Sequence, residues 1–599
     1  MSGSPSDFKA SFPLTLSSSK GASAFFLRLI AFTAVGCLVL AGCGSDNEGP
    51  TSVPLQVGVA AVAISPCGVN PDYNGPITAN GVWGETYTDR NGNGRWDPGE
   101  LYTNDAGNNA LDVSSKTKYD GVFMAGFDNN RIAKGCADDI WARAIVLQTP
   151  RHKIALVSVD LVGTLSHGKY YGFSHAQALV DPALGIDTFL YASTHDHEAP
   201  DSLGLWGVSQ LSDGKFPLYL TFIDKEVAKA INTAASPSAM HPAKITAAKV
   251  TPATDPTLLG LQVRTGCRPP WFFDDELRAL QFVGDDGNTI ATLINWNTHP
   301  ESLEDNNEMI SSDFPGSVRA RVEQQLGGTA VYFSGDLGAV EIVGDTCVGN
   351  ADPRADGTNE FDHRDNLGFD RTHHIGEVVG DATVRALRAG TKLDIAAIDT
   401  KSEQYYIAGS NDSFRFAQQV SLLDIDESVF SPDHCANNPV ICVAVEQHLL
   451  NFLDASGRAQ IQLATAPGEL FPELNYGVEQ HRRMNCDGAN TGEPYEPSIR
   501  NAMTAPYRLV LGLSPDELGY IVPAYDFQPS TAVKELGDAC TGQSYDPNFP
   551  NRHTPTHYHE SLSVGLDIAA AVNCNVLKML GLDSQVAANA ACKRALHLE

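Results

Sequence analysis

Short apolar stretches alternate along the chain with longer amphipathic ones. Branched or alternating apolar residues predict β-strands at 57–64, 154–159, 186–192, 289–296 and 329–333. Helical spacing of apolar residues predicts α-helices at 175–180, 222–235, 315–326 and 562–580. The third of these helices has Pro315 near its start and Gly327 just after its end, where each residue is favoured. Strands that alternate with helices favour an α/β domain, in which sites gather beyond strand ends.

Two of the predicted strands, 186–192 and 289–296, lead into histidines. His195 and His197 follow the first strand, and His299 follows the second. Alternate residues of extended chain point the same way, so the first two imidazoles can face one point. Neutral imidazole is the commonest metal ligand, and zinc takes three or four such groups in a tetrahedron. The pattern predicts a split zinc site, and its alternative is a hydrogen-bonded structural pair.

The N-terminus has the pattern of a bacterial lipoprotein signal peptide. An apolar run at 29–40 is too short to span a bilayer comfortably, and small residues separate it from Cys43. We therefore predict a signal peptide over 1–43, lipidation of Cys43, and a polar tether over 44–56. The alternative is an apolar helix of the folded domain. These features predict export to the cell envelope, and Gly44 favours the outer membrane or cell surface.

The charge of the chain limits the partners that it can bind, and its cysteines indicate the compartment in which it works. The 599 residues carry a formal charge of −31, which argues against nucleic acid or an anionic membrane surface as partner. Contact with a membrane is therefore expected through the lipid anchor only. Ten cysteines follow Cys43, and none of them forms a CxxC pair. An even number in an exported chain predicts disulfides that pin loops, and the sequence leaves their pairing open.

An insertion at 89–112 begins with a twelve-residue calcium-binding pattern. Gly94 occupies the sixth position, where the loop needs a sharp turn, and 104–112 looks like a degenerate copy. The predicted calcium ligands are Asp89, Asn91, Asn93, Asp97 and Glu100. Pro98 argues against a following EF-hand helix. We expect calcium to stiffen this loop, and the alternative is a polar surface hairpin without an ion.

Several segments, taken in order, resemble the neutral ceramidase family of zinc amidases. The stretches 124–127, 141–146 and 157–160 resemble its opening strands, and the family's THTH, NWF..HP, SSDN, PGEF and YVTTPEEY segments are similar to 194–197, 295–300, 311–313, 467–470 and 519–525. The resemblance covers about 57–565. It implies a mixed-sheet α/β zinc hydrolase domain with helices around the sheets, which we place at 57–580, with 581–599 as a C-terminal tail.

The resemblance also implies a set of site residues. The zinc ligands would be His195, His299, Glu469 and Tyr520. Two nitrogens, a carboxylate and a phenol leave space at the metal for a water or a substrate oxygen. His197 would then serve in acid/base catalysis, and Asp160 could accept the other N–H of one imidazole.

The activity implied is hydrolysis of an N-acyl amide or a related ester by metal-activated water, with a small-molecule or lipid-like N-acyl substrate. A different class of function is a non-catalytic, calcium-stiffened surface lipoprotein that binds a ligand on the same scaffold. A third is hydrolysis of phosphate or sulfate esters, which the lack of a glycine-rich phosphate loop disfavours.

The chain departs from the family pattern in three places. Gly338 stands where the GDVSPN segment has its catalytic serine, which leaves Asp336 and Ser334 as the catalytic candidates of that loop. Glu198 and Asp201 replace small residues of the SGPGG segment, and we expect them to make the rim of the pocket negative. The sequence also ends where typical ceramidases continue into an immunoglobulin-like domain.

Overall fold

The computed structural model describes residues 55–67, 122–260, 264–266, 272–342, 368–420, 422–423, 442–477, 493–527 and 558–598. These residues belong to one compact unit. The signal peptide, Cys43, nearly all of the tether and the calcium loop at 89–112 lie outside the described residues. Among the described helices, none combines the length and the apolar character that a bilayer-spanning helix needs.

The strands of the described residues, in chain order, are β1 (Gln56–Ala63), β2 (Gly135–Cys136), β3 (Trp141–Gln148), β4 (Lys153–Val159), β5 (Thr188–Ser193), β6 (His241–Val250), β7 (Arg264–Gly266), β8 (Leu277–Gly284), β9 (Thr289–Trp296), β10 (Met309–Ile310), β11 (Thr329–Ser334), β12 (Val340–Ile342), β13 (Thr391–Leu393), β14 (Ala397–Ala408), β15 (Cys442–Leu453), β16 (Ala459–Thr465), β17 (Glu469–Leu470), β18 (Tyr507–Leu511) and β19 (Tyr520–Ile521).

The helices of the described residues are α1 (Phe173–Ala178), α2 (Pro217–Ala234), α3 (Asp313–Leu326), α4 (Phe369–Arg388), α5 (Asp412–Gln419), α6 (Pro472–Tyr476), α7 (Ile499–Ala502), α8 (Tyr558–Ser561), α9 (Ile568–Met579), α10 (Asp583–Ala588) and α11 (Ala590–Ala595). Short 3-10 helices lie at Pro182–Leu184, Pro256–Gly260 and Ala524–Asp526.

A nine-stranded mixed sheet has the order β11-β9-β8-β6-β1-β3-β4-β5, with β13 also paired to β6. Its first half, β1-β3-β4-β5, uses two antiparallel pairings and then a parallel one. The second half, β6-β8-β9-β11, repeats that order of pairings. In the described residues, strand pairing joins the halves at two residue pairs between β1 and β6. Each half therefore ends in a parallel pair, and parallel strands place their carboxyl ends at one edge.

Helices cover both halves of the large sheet. Helix α2 packs on β1 and β3, whereas α3 packs on β11 and α4 on β6 and β8. Apolar side chains of the two sheet halves and of a four-stranded sheet, β14-β15-β16-β18, form a shared core. A second core contains β17, β19 and α9. The protein has the predicted mixed α/β architecture with helices around the sheets.

The predicted strands are all found within a few residues of their expected bounds, and β9 matches its prediction at both ends. The helix expected at 562–580 begins only at Ile568, because Ser563 first forms a bridge with Gly519. The prediction of a tail at 581–599 is wrong. Helices α10 and α11 fold back on α9, and a disulfide joins Cys574 to Cys592.

A second disulfide joins Cys67 to Cys136, which lie 69 positions apart. It links the end of β1 to the segment before β3. Disulfides are therefore present in the described residues, as expected for an exported protein.

Candidate metal centre

Three histidines meet where strands from both halves of the large sheet end. The ring centroid of His195 lies 4.8 Å from that of His197 and 4.7 Å from that of His299. The rings of His197 and His299 are 5.5 Å apart. All three side chains are buried, and one nitrogen from each lies within 4.8 Å of the others. The two histidine segments that the sequence placed on separate strands form one cluster.

The loop after β5 holds His195 in an unusual backbone conformation. Its φ is +68°, in the left-handed region that residues other than glycine seldom adopt. The N–H groups of His195 and Asp196 both donate to the carbonyl of Leu161, each at 3.0 Å. Ser334 at the end of β11 donates its hydroxyl to the carbonyl of Thr194 at 2.7 Å. Contacts from two strands therefore fix this strained turn.

Backbone carbonyls orient two of the imidazoles. Nδ1 of His195 lies 2.6 Å from the carbonyl of Val162, and Nδ1 of His299 lies 2.9 Å from that of Val340. Carbonyls only accept, so Nδ1 carries the proton in both rings and Nε2 offers its lone pair. Both Nε2 atoms face Oε2 of Glu469, at 3.4 Å from His195 and 2.9 Å from His299.

The residues Glu469 and Tyr520 are direct partners in a two-stranded parallel sheet. Strand β17 begins with Glu469, β19 begins with Tyr520, and the two residues are in register. The Tyr520 ring is buried and stacks on His299, with centroids 6.3 Å apart and an interplanar angle of 30°. The structure thus brings His195, His299, Glu469 and Tyr520, the residues that the sequence suggested as zinc ligands, to one place.

Electrostatics at this cluster favours a bound cation. Burial opposes the charge on His299, but its hydrogen bond to Glu469 and the charge of Glu301 raise its pKa to about 9. Burial likewise opposes the charge on Glu469, yet His195 and His299 lower its pKa to about 2. The Nδ1 atoms of His195 and His299 already donate to carbonyls, so both Nε2 lone pairs face the Glu469 carboxylate. Since lone pairs and a carboxylate repel one another, a proton or a metal must lie between them. Two imidazole nitrogens and a carboxylate are donors that fit a divalent metal such as zinc.

His197 sits beside these donors with an unengaged ring nitrogen. Its Nδ1 lies 3.5 Å from Oε2 of Glu301 and makes no hydrogen bond in the described structure. The edge of Phe127 packs on the ring at 5.1 Å. Gly126 has φ of +95°, and a Cβ there would lie 2.3 Å from the ring. The glycine is therefore needed for His197 to occupy this position.

The expectation that Asp160 orients an imidazole is wrong. Both of its carboxylate oxygens bind the guanidinium of Arg319, at 2.7 and 2.6 Å, and one also accepts the N–H of Trp141 at 2.9 Å. Asp160 is buried, so the two-point ion pair with Arg319 compensates its lost hydration. The acceptors that orient the imidazoles are the carbonyls of Val162 and Val340 instead.

The expectation that Glu198 and Asp201 line a negative rim is also wrong, since both are buried. Glu198 forms an ion pair with Arg131 at 3.0 Å and accepts the side-chain amide of Asn307 at 2.8 Å. Asp201 accepts the backbone N–H groups of residues 203, 204 and 206, which closes a tight turn. Their hydrogen bonds hold the loop after the histidines, and neither carboxyl group faces solvent.

The loop after β11 contains the remaining candidates. Asp336 is buried and accepts the amide of Asn475 at 2.9 Å. Burial and the neighbouring charge of Asp274 raise its pKa well above the usual range. Gly338 donates its N–H to the carbonyl of Leu470 at 3.0 Å, and a Cβ there would lie 2.4 Å from the carbonyl oxygen of Glu469. The loop therefore packs directly against the strand that holds Glu469.

Sequence reasoning missed three buried carboxylates around the cluster. Oε2 of Glu341 lies 3.3 Å from Nδ1 of His299, and Glu301 faces His197. Glu517 offers an oxygen within 4.8 Å of ligand atoms of His195 and Glu469. Glu301 and Glu517 each lie two or three residues from a suggested ligand. This short sequence distance was the only feature of the sequence that pointed to Glu301 and Glu517.

The described residues define a mixed α/β fold with a buried histidine and carboxylate cluster. Solved structures share this fold: the neutral ceramidase from Pseudomonas aeruginosa is 14% identical, with a TM-score of 0.50, over 87% of this chain and 74% of that chain. A ceramidase complexed with C2 is 13% identical, with a TM-score of 0.51, over 89% of this chain and 75% of that chain. The sequence matches no protein-family model and no curated protein.

Proposed function

We propose that this protein is an exported, zinc-dependent hydrolase that cleaves an N-acyl amide or a related ester bond. The observation that carries the proposal is the convergence of two oriented Nε2 atoms on the buried carboxylate of Glu469. The two similar structures described above are ceramidases, which supports a lipid-like N-acyl substrate. A buried donor set of this kind costs free energy unless a cation balances it.

The proposed metal ligands are His195, His299, Glu469 and Tyr520. A divalent metal held there would polarise a carbonyl group and lower the pKa of water. His197 is placed to hold a proton at Nδ1, because that atom lies beside the donors and makes no hydrogen bond in the described structure. Backbone carbonyls keep His195 and His299 from rotating, so their donor atoms are arranged before a substrate binds.

The proposed nucleophile is water rather than a serine of the loop after β11. Gly338 offers no hydroxyl, and the hydroxyl of Ser334 donates to the carbonyl of Thr194. Asp336 faces Asn475 and Asp274 rather than a hydroxyl nucleophile. These contacts support positioning roles for Ser334 and Asp336.

Export and anchoring are proposed on the sequence. The signal peptide, lipidation of Cys43 and a calcium loop at 89–112 are the features that support a lipid-anchored protein of the bacterial cell envelope. The disulfides of the described residues are compatible with an oxidising compartment.

The test compares metal content and hydrolysis in the wild type and in His195→Ala. The full chain is purified in detergent, its zinc and calcium are quantified, and N-acyl amides and esters are screened as substrates. We expect one zinc per wild-type chain. In the variant, zinc affinity and hydrolysis should both fall by more than the 10- to 100-fold that is typical when a residue that only supports a ligand is replaced. The exposed His241 gives a matched control, and His241→Ala should behave as the wild type.

A wild-type protein without zinc and without turnover would contradict the proposal. Calcium alone in that protein would favour the non-catalytic, calcium-stiffened ligand-binding scaffold. Gly338 is also consistent with that function, because it lacks the hydroxyl of the family's serine.

A further inference from the structure

A buried carboxylate that the proposed ligand set does not use faces the metal centre. Glu517 lies between β18 and β19, and its backbone N–H donates to the carbonyl of Thr164 at 2.8 Å. Its Oε1 accepts the N–H of Gly519 at 2.8 Å. Only 6% of the residue is exposed, and Oε2 has no hydrogen-bond partner in the described structure. Unpartnered buried oxygens are rare in folded proteins, so this one calls for a ligand.

The position of Glu517 is fixed from both sides. An oxygen of its carboxylate lies within 4.8 Å of a ring nitrogen of His195 and of an oxygen of Glu469. On the other side, a Cβ at Gly163 would lie 2.5 Å from both Cβ and Cγ of Glu517. The close contact with Gly163 and the two backbone hydrogen bonds hold the carboxylate against the cluster.

Two buried carboxylates at this distance require a positive charge. Within the described structure, no hydrogen bond or ion pair joins Glu469 or Glu517 to a lysine or arginine side chain. Paired imidazoles face Glu469, but none donates to Oε2 of Glu517. Like charges that share a buried site must be separated by a cation or by a proton.

We infer that Glu517 is a further metal ligand, which binds through Oε2 beside His195 and Glu469. This inference rests on the metal centre proposed above and extends the ligand set by a second carboxylate. Two carboxylates balance the charge of a divalent metal without help from a basic side chain. The set then contains two imidazoles, two carboxylates and the phenol of Tyr520. Such an oxygen-rich set favours more than four ligands and hard or borderline metals.

The test is a Co²⁺ titration of the full chain after removal of its native metal. Cobalt replaces zinc in such sites, and its visible absorption reports the number of ligands. Glu517→Gln keeps the shape of the side chain but removes the charged donor. We expect the variant to bind Co²⁺ at least about tenfold more weakly and to change the visible spectrum. Glu517→Asp retains a carboxylate and should recover part of the affinity.

A matched control is the neighbouring buried carboxylate of Asp516, which accepts the N–H of Ser166 at 2.6 Å and is outside the cluster. Asp516→Asn should bind Co²⁺ with the affinity and spectrum of the wild type. Circular dichroism and thermal unfolding identify any variant that fails to fold. If Glu517→Gln fails to fold, the test relies on the visible Co²⁺ spectrum of Glu517→Asp.

Two results would overturn the inference, and they are distinguishable. If Glu517→Gln binds Co²⁺ with the wild-type affinity and spectrum, Glu517 shares a proton with Glu469, since an amide can replace a protonated carboxyl group. If the wild type binds neither Co²⁺ nor zinc, the proposed metal centre itself fails. Only the second result affects the proposed function.

Discussion

The two halves of the large sheet use the same order of strand pairings, but the buried carboxylates that they contact are compensated differently. At the end of β4 in the first half, Asp160 is bound at two points by Arg319 of α3. After β9 in the second half, His299 instead directs Nε2 at Glu469 of β17, and no lysine or arginine side chain is paired with that carboxylate in the described structure. A carboxylate that arginine already binds supports the fold. A carboxylate that only imidazoles face is suited to a metal.

The largest effect on stability should follow from Arg319→Met. The variant leaves Asp160 buried without its cation, and breaking a buried pair in this way costs about 3–5 kcal/mol of unfolding free energy. Arg319 comes from α3 and Asp160 directly follows β4, so the variant also removes one contact between the two halves of the sheet. Urea denaturation measures the cost, and zinc per folded chain should be unchanged.

The double variant Arg319→Met with Asp160→Asn is the control. Asparagine removes the uncompensated charge and can still accept the N–H of Trp141, so we expect it to recover part of the lost stability. A cost below about 1 kcal/mol for the single variant would place this pair among weak surface ion pairs. It would also remove the contrast between the two halves.

A smaller effect on stability is expected at Gly338, which follows β11 of the second sheet half. A Cβ at this position must displace the carbonyl of Glu469, which lies 2.4 Å away. We therefore expect both Gly338→Ala and Gly338→Ser to weaken zinc binding and to cost about 1–3 kcal/mol of stability, as overpacking does. Zinc affinity and urea denaturation measure the two effects.

Alanine and serine at position 338 form a matched pair that isolates the hydroxyl. Equal losses of hydrolysis in the two variants are expected if water is the nucleophile. Faster hydrolysis by Gly338→Ser than by the wild type, with none by Gly338→Ala, would show that a serine at this position can act as the nucleophile.

The strands were predictable because their apolar runs are local. Strand β9 is a mostly apolar run that a histidine and a proline follow shortly after its end, and it was predicted at both ends. Helix α2 begins at Pro217, five residues before its predicted start, because its first turn contains no polar residue and so shows no helical spacing. Such differences of a few residues change no position in the site.

The site was predictable only where a motif marks it. His195 and His299 stand at strand ends, whereas Glu469 and Tyr520 were suggested by the family resemblance, and the pairing of β17 with β19 that joins them is a tertiary contact. The role of Asp160 was misjudged because its partner lies 159 positions away in the sequence. Packing, which no local pattern records, also decides that Glu517 is buried.

The smallest predicted effect concerns a histidine outside the cluster. His448 on β15 is buried, and burial lowers its pKa to about 4, whereas the carboxylates around His299 raise the pKa of that residue. Its Nδ1 lies 2.8 Å from the hydroxyl of Ser402, and the nearest carboxylate of Glu446 is 3.9 Å away and half-exposed. Solvent screens that exposed charge, so it does not reverse the effect of burial.

The sign of the pH dependence follows from the lowered pKa of His448. The unfolded chain binds a proton at this residue below about pH 6.5, and the folded protein does so only near pH 4. Stability is therefore complete above about pH 6.5 and declines as the pH falls towards 4. Between pH 7.5 and 5.5 we expect His448 to contribute a loss of about 1 kcal/mol in unfolding free energy, and His448→Gln should remove that contribution.

Urea denaturation at the two pH values measures this difference, and His241→Gln, at an exposed histidine, should leave it unchanged. An unaltered pH dependence in His448→Gln would mean that burial alone does not lower the pKa of a histidine in this fold. The contrast between His448 and His299 would then no longer isolate the effect of the surrounding carboxylates. A smaller loss of stability on acidification in His448→Gln than in the wild type would instead show that those carboxylates distinguish the histidine cluster.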